Sequence, residues 1–157
     1  MGMTRRKALK TGGGVTLVTL LAAAGWLKPG DAMAQAWNKA AFEAKSMDEA
    51  MKALGSAAPT QSKDITFVST PDIAENGAVV PVGIASAIPK TESIAILIEK
   101  NPSTLTANFD IPPGTDPTIS TRVKMAQTSN IYALVKADGK YYVASKEIKV
   151  TLGGCGG

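Results

Sequence analysis

Glu92-Ser93-Ile94-Ala95-Ile96-Leu97-Ile98-Glu99 is the stretch on which the fold class turns. Successive side chains of a strand point to opposite faces, so Ile94, Ile96 and Ile98 share one face and Ala95 and Leu97 the other. The same period of two runs on either side of it. Upstream, Ile65, Phe67 and Ser69 alternate with Thr66 and Val68, and Val80, Val82 and Ile84 share a face within Ala78 to Ile88. Downstream come Leu105, Ala107, Phe109 and Ile111, then Ile119, Thr121, Val123 and Met125 with Arg122 and Lys124 opposite, then Ile131, Ala133 and Val135. Asp138-Gly139 marks a tight hairpin turn, which needs positive φ at its central residues, and Tyr141 to Thr151 forms the return strand.

Turn signals separate these runs: Asn76-Gly77, Pro89-Lys90, Asn101-Pro102, Pro112-Pro113-Gly114, Ser129-Asn130 and Asp138-Gly139. Regular short strands with such punctuation predict a mostly β chain, an immunoglobulin-like β-sandwich of about seven strands. The Cys…Trp…Cys pattern of true immunoglobulin domains is missing, so the likeness is one of architecture. Pro81 and Gly83 mark an edge position or a bulge in their strand.

Before the strands the period lengthens. Trp37, Ala41, Ala44, Met47, Met51 and Leu54 recur at spacings of three and four, a helical stripe suited to packing on a sheet. Ser46-Met47-Asp48-Glu49 fits a capping box, which predicts two short helices breaking at Ser46, with Gly55 as the left-handed residue closing the second. Ala57 to Ser62 reads as a short connection to the sandwich.

The first residues read as a removable leader. Thr4-Arg5-Arg6-Lys7-Ala8-Leu9-Lys10 precedes an apolar run from Gly12 to Leu27, and Ala32-Met33-Ala34 offers a small-x-small cleavage site before Gln35. The arginine pair resembles the twin-arginine export signal, with Ala8 where phenylalanine is often found. An uncleaved membrane anchor is the competing reading, disfavoured because the Gly- and Thr-rich run is less apolar than a spanning helix requires. The organisation expected is a twin-arginine signal peptide at 1–34, a helical segment and connection at 35–62, a β-sandwich at 63–152 and a terminal arm at 153–157.

The formal charge of +4 comes mostly from that leader, which holds five of the 17 basic residues and one of the 13 acidic ones. The remaining chain is near neutral, which removes the basic footprint a nucleic-acid partner needs. There is no histidine and only one cysteine. A His-based catalytic triad, His-ligated zinc or copper, a Cys-x-x-Cys-His haem site, a thiolate metal cage and an intrachain disulfide are all excluded. No metal site or resident cofactor is expected.

The lone cysteine stands in Gly153-Gly154-Cys155-Gly156-Gly157, where four of five residues are glycine. Five residues span at most about 17 Å. With hydrogens alone flanking it, such a thiol can thread a channel too narrow for ordinary residues, and glycine opens many backbone postures. A free cysteine is about 3% thiolate at pH 7, and no neighbour here activates it. Cys155 therefore reads as a carried group, chemically worked on in a partner's site. The competing classes are an enzyme, which would need the thiol in a cleft beside Arg or His, and a structural sandwich subunit, disulfide-linked through Cys155. Arg122 is the only arginine after the leader. It shares a face with Lys124, which reads as a solvated basic face ahead of a guide for anions.

The terminal pentapeptide after Val150-Thr151, the twin-arginine leader and the sandwich together resemble the SoxY family, the sulfur-carrying subunits of SoxYZ complexes in periplasmic thiosulfate oxidation. Asn101-Pro102, Ser120-Thr121-Arg122-Val123-Lys124-Met125 and Asp138-Gly139 look like the family's internal signatures. The resemblance implies a non-enzymatic carrier with Cys155 as the covalent sulfur attachment site and Gly153, Gly154, Gly156 and Gly157 as its flexible arm. It also implies a periplasmic heterodimer with SoxZ, acted on by haem-containing SoxAX, the hydrolase SoxB and, in some systems, the sulfane dehydrogenase SoxCD. A thiol can hold sulfur as a persulfide or thiosulfonate, both made and broken by attack at sulfur.

Overall fold

The computed structural model describes residues 38–56 and 58–152. The leader, Trp37, Ala57 and the arm with Cys155 lie outside these residues. The chain opens with α1 (Lys39–Glu43) and α2 (Met47–Ala53), followed by β1 (Thr60–Gln61), β2 (Ile65–Val68), β3 (Ile73–Ala74), β4 (Val80–Ser86), β5 (Thr91–Ile98), β6 (Leu105–Asp110), β7 (Thr118–Val123), β8 (Ser129–Ala137) and β9 (Lys140–Val150).

The break at Ser46 is present. Its hydroxyl accepts from the Glu49 N–H at 3.3 Å, while Glu49 Oε2 accepts from the Lys45 N–H at 3.1 Å, one residue outside the cap. Gly55, at φ 87°, closes α2. The Gly55 and Ser56 N–H groups donate to the carbonyls of Lys52 and Met51, the paired bonds of a Schellman ending.

Two sheets form. One has six strands in the order β1-β9-β8-β5-β6, with β3 also on β9; the other runs β2-β4-β7. They pack face to face around Ile65, Val80, Val82, Ile84, Ile119, Val123 and Met125 on one side and Ile94, Ile96, Ile98, Ile131, Ala133, Val135 and Ile148 on the other. The helices cover the opposite face of the six-stranded sheet, where Ala41, Ala44 and Ala50 meet Ala95, Leu97, Leu105, Leu134 and Val143. Strand β5 therefore buries both faces. Each of its five apolar side chains from Ile94 to Ile98 is at most 2% exposed. Burying a Leu or Ile fully is worth roughly 1.5–3 kcal/mol, so β5 anchors both layers.

The mostly β sandwich agrees with the sequence reading, but nine strands form where about seven were expected. The additions are β1 and β3, two residues each, running parallel to β9 along its outer edge. The supposed plain connection at Ala57 to Ser62 contains β1. Period two cannot reveal a strand of two residues. The backbone of β9 holds them: Ser62 donates to the Val143 carbonyl and Lys149 to the Asp72 carbonyl.

The reading of Pro81 and Gly83 needs correcting. Strand β4 is the middle strand of its sheet, and its register is continuous on both sides; the register shifts fall in β5. Pro81 is accommodated because β2 ends at the Val68–Gly83 pair, leaving Val80 to Val82 bonded to β7 alone. Gly83 answers to crowding. A Cβ there would stand 2.2 Å from the Val68 carbonyl oxygen.

Candidate functional site

The arm and its thiol, Gly153 to Gly157, fall outside the described residues, so the structure defines the root from which they emerge. β9 is eleven residues long. It starts from the Asp138-Gly139 turn, whose φ values of 49° and 73° give the two positive angles expected. It ends at Val150 in a set of bonds the sequence did not reveal. Thr128 Oγ1 accepts from the Val150 N–H at 2.9 Å. The Thr151 N–H donates to the Ala74 carbonyl at 3.1 Å, and its hydroxyl to the Glu75 carbonyl at 3.0 Å. The Leu152 carbonyl accepts from the Gly77 N–H at 2.7 Å.

The chain is thus held by residues 74–77 as far as Leu152. Only Gly153 and Gly154 separate Leu152 from Cys155, and the three Cα-to-Cα steps between them extend at most about 11 Å. Only the Asn76-Gly77 turn gave any sequence signal here. The rest depends on backbone groups, which side-chain patterns do not report.

A second anchor lies just upstream. Lys146 Nζ donates to the Thr70 carbonyl at 2.5 Å and pairs with Asp72 Oδ1 at 3.0 Å, tying the segment before β3 to β9. Thr70 Oγ1 in turn bridges the N–H and carbonyl of Gly83 at 3.0 and 3.1 Å. Arg122 and Lys124 are both exposed, as expected of a solvated face, and neither forms an ion pair among the described residues.

Two groups with shifted titration, Glu92 and Lys136, sit at the other end of β9, whereas Tyr132, raised first by burial and then by Glu99, pairs with Ser145 midway along it. Glu92 accepts from Lys136 at 2.9 Å and from the Gly139 N–H at 3.1 Å. Its carboxyl is held below the ordinary range, first by the Lys136 hydrogen bond and then by the Gly139 one. The same pair raises Lys136, whose first cause is the hydrogen bond to Glu92. Lys140 and Val150 mark the two ends of β9, so this pair lies roughly 30 Å from the arm root.

A cleft of about 290 Å3 lined by Ile88, Pro89, Pro112, Pro113 and Pro117 also belongs to the far end, beside the close of β4. Among the described residues no group of three or more His, Cys, Asp or Glu side chains is placed to hold a metal. The root has threonines, backbone carbonyls and exposed aliphatic groups around it. Among the described residues its chemistry is that of an anchor.

Residues 50–155 match the family of the sulfur oxidation protein SoxY, a span that ends on Cys155. The chain belongs to the SoxY family. The sulfur carrier protein SoxY from Chlorobium limicola f thiosulfatophilum is similar in structure, with 41% sequence identity and a TM-score of 0.62, covering 68% of this chain and 97% of that one. A superoxide reductase (neelaredoxin) from Ignicoccus hospitalis matches at 17% identity and a TM-score of 0.49, covering 67% of this chain and 92% of that one. Among curated proteins, none matches. The SoxY match takes in α2 from Ala50, every strand and the arm root.

Proposed function

We propose that this protein is a periplasmic sulfur carrier that holds thiosulfate-derived intermediates covalently on Cys155 and presents them to Sox enzymes, without catalysing a step itself. The observation that carries the reading is membership of the SoxY family over a span that runs through Cys155. The 41% identity to a protein described as a sulfur carrier supports it.

In loading, the Cys155 thiolate and the outer sulfur of thiosulfate form an S–S bond, and two electrons leave to the haem-containing partner SoxAX. In hydrolysis by SoxB, water oxygen joins the outer, oxygen-bearing sulfur as its bond to the sulfane sulfur breaks, sulfate departs with two protons released, and a persulfide anion stays on Cys155. Where SoxCD is present, that sulfane is oxidised further. The chain's own part is to expose a small thiol on glycine neighbours and to fix where the arm starts. The leader, with Arg5-Arg6 before its apolar run, supports export by the twin-arginine route.

A heterodimer with SoxZ fits the open edges at β6, β2 and β7, since exposed edge strands ordinarily need cover. A monodisperse monomer at micromolar concentration with no affinity for SoxZ would contradict that assembly. The carrier reading is tested by a Cys155→Ser protein in reconstituted thiosulfate oxidation. Loss of all sulfate release is expected. Retained turnover would overturn the carrier role and leave a structural sandwich subunit.

A further inference from the structure

Two stretches of sequence that the carrier reading leaves without a role, Asn101-Pro102 and Ser120 to Met125, are joined by one side chain. Asn101 Nδ2 donates to the Lys124 carbonyl at 2.7 Å, and Asn101 Oδ1 accepts from the Ala126 N–H at 3.0 Å. A carboxamide carries a donor and an acceptor on one carbon, so this side chain grips the backbone on both sides of Met125. The Met125 side chain is fully buried in the sandwich core, which fixes the same residue from within.

The backbone of Met125 links that clasp to the arm root. Its N–H donates to the Gly77 carbonyl at 2.7 Å, and the Gly77 N–H donates to the Leu152 carbonyl at 2.7 Å. The turn that carries Gly77 is closed by the Asn76 side chain, whose Oδ1 accepts from the Ala78 N–H at 2.8 Å. A continuous series of bonds thus runs from the connection between β5 and β6 to Leu152, the last described residue.

The series holds chain that packing does not. The ladder of β9 ends at Ile148 on β8 and at Val150 on β3. Thr151 is kept beyond it by the Ala74 and Glu75 carbonyls, and Leu152 by Gly77. Leu152 is 65% exposed, and a chain end that buries little apolar surface ordinarily frays. The consequence of holding it falls on reach. With Leu152 held, the Cα of Cys155 lies at most about 11 Å from a fixed point; with Leu152 released and Thr151 still held, the limit is about 14 Å. A shorter tether confines the thiol to a smaller volume and raises its effective concentration at a site placed to match.

We propose that Asn101 is a positioning residue for sulfur delivery: through Met125 and Gly77 it holds Leu152, and so sets the length of tether that bears Cys155. The proposal deepens the carrier reading and rests on it.

The test combines Asn101→Ala with deletion of Gly153 in the full mature chain. Hydrogen exchange at the Gly77 amide, followed by nuclear magnetic resonance, reads the hold without any partner. Asn101→Ala should speed that exchange at least tenfold and leave the amide of Ile96, in the core, unchanged. In reconstituted thiosulfate oxidation, deleting Gly153 from the otherwise wild-type chain should slow sulfate release about tenfold, because the tether is one residue short. The same deletion in the Asn101→Ala chain should cost less than threefold, because a released Leu152 restores that one residue. If Asn101 is merely structural, the two losses multiply, and that result overturns the positioning role. So does a Gly77 amide that exchanges within twofold of its wild-type rate in a folded variant. Should Asn101→Ala fail to fold, Asn101→Asp takes its place. It keeps the acceptor for Ala126 and loses only the donor to Lys124, and should speed Gly77 exchange at least threefold with the same relief of the deletion. A wild-type chain that supports no sulfate release overturns the carrier reading and the delivery role with it, whereas multiplied losses in a working carrier overturn the positioning role alone.

Discussion

Gly83→Ala should destabilise the sandwich far more than a single added methyl group suggests. The new Cβ would lie 2.2 Å from the Val68 carbonyl oxygen and 2.9 Å from Val68 Cγ2. The oxygen is backbone, so no rotamer change relieves the contact. The end of β2 must move away from β4, and the Thr70 hydroxyl that accepts from the Gly83 N–H at 3.0 Å goes with it.

Overpacking costs about 1–3 kcal/mol, and each hydrogen bond lost adds about 1 kcal/mol. The total is about 3 kcal/mol, which in a domain of this size lowers Tm by about 10 °C. Thermal unfolding followed by circular dichroism reads it directly. Gly139→Ala is the control. That residue has φ 73° with nothing within 4 Å of its Cβ position, so it bears conformational strain alone and should cost about 1 kcal/mol. If Gly83→Ala melts within about 2 °C of wild type, or costs no more than Gly139→Ala, the close approach of β2 to β4 is not what requires glycine there.

Two further outcomes are expected. Glu92→Gln should remove a small, salt-screened contribution at the β8–β9 hairpin. Because the folded Glu92 pKa is lowered, that contribution is present above the unfolded value of 4.5 and lost as pH falls through the folded one. Because Lys136 is raised, its share is full below 10.5 and lost as pH rises through its folded value, so a wild-type-minus-variant difference that grows toward low pH would contradict the pairing. Gly154→Val should leave Tm unchanged and slow delivery to partner enzymes by adding bulk beside Cys155; equal losses of stability and delivery would place the arm in the core.

Much of the fold was legible because burial imprints periodicity. β5 shows this most fully: Ile94, Ile96 and Ile98 face the sandwich core, while Ala95 and Leu97 face the helices. Ser46, Gly55 and Asp138-Gly139 were legible because caps and tight turns demand particular residues. β1 and β3 escaped because two residues make no pattern, and they are held by the backbone of β9. Gly83 was misread because a glycine inside a strand serves a bulge and a close contact equally well. Cys155 stands out as a candidate from its position among glycines and lies outside the described residues, whereas the root before the arm depends on carbonyls of residues 74 and 75 and the Gly77 N–H.

The central claim is that Cys155 carries sulfur covalently, and intact mass of the terminal peptide during thiosulfate turnover tests it most directly. Added sulfur, or sulfur with oxygen, should appear on Cys155 and be stripped by dithiothreitol, because persulfides and thiosulfonates contain a bond open to thiolate attack. Sulfinic and sulfonic acids resist that reductant, which separates cargo from oxidative damage. A Cys155 that remains an unmodified thiol throughout turnover would contradict the account.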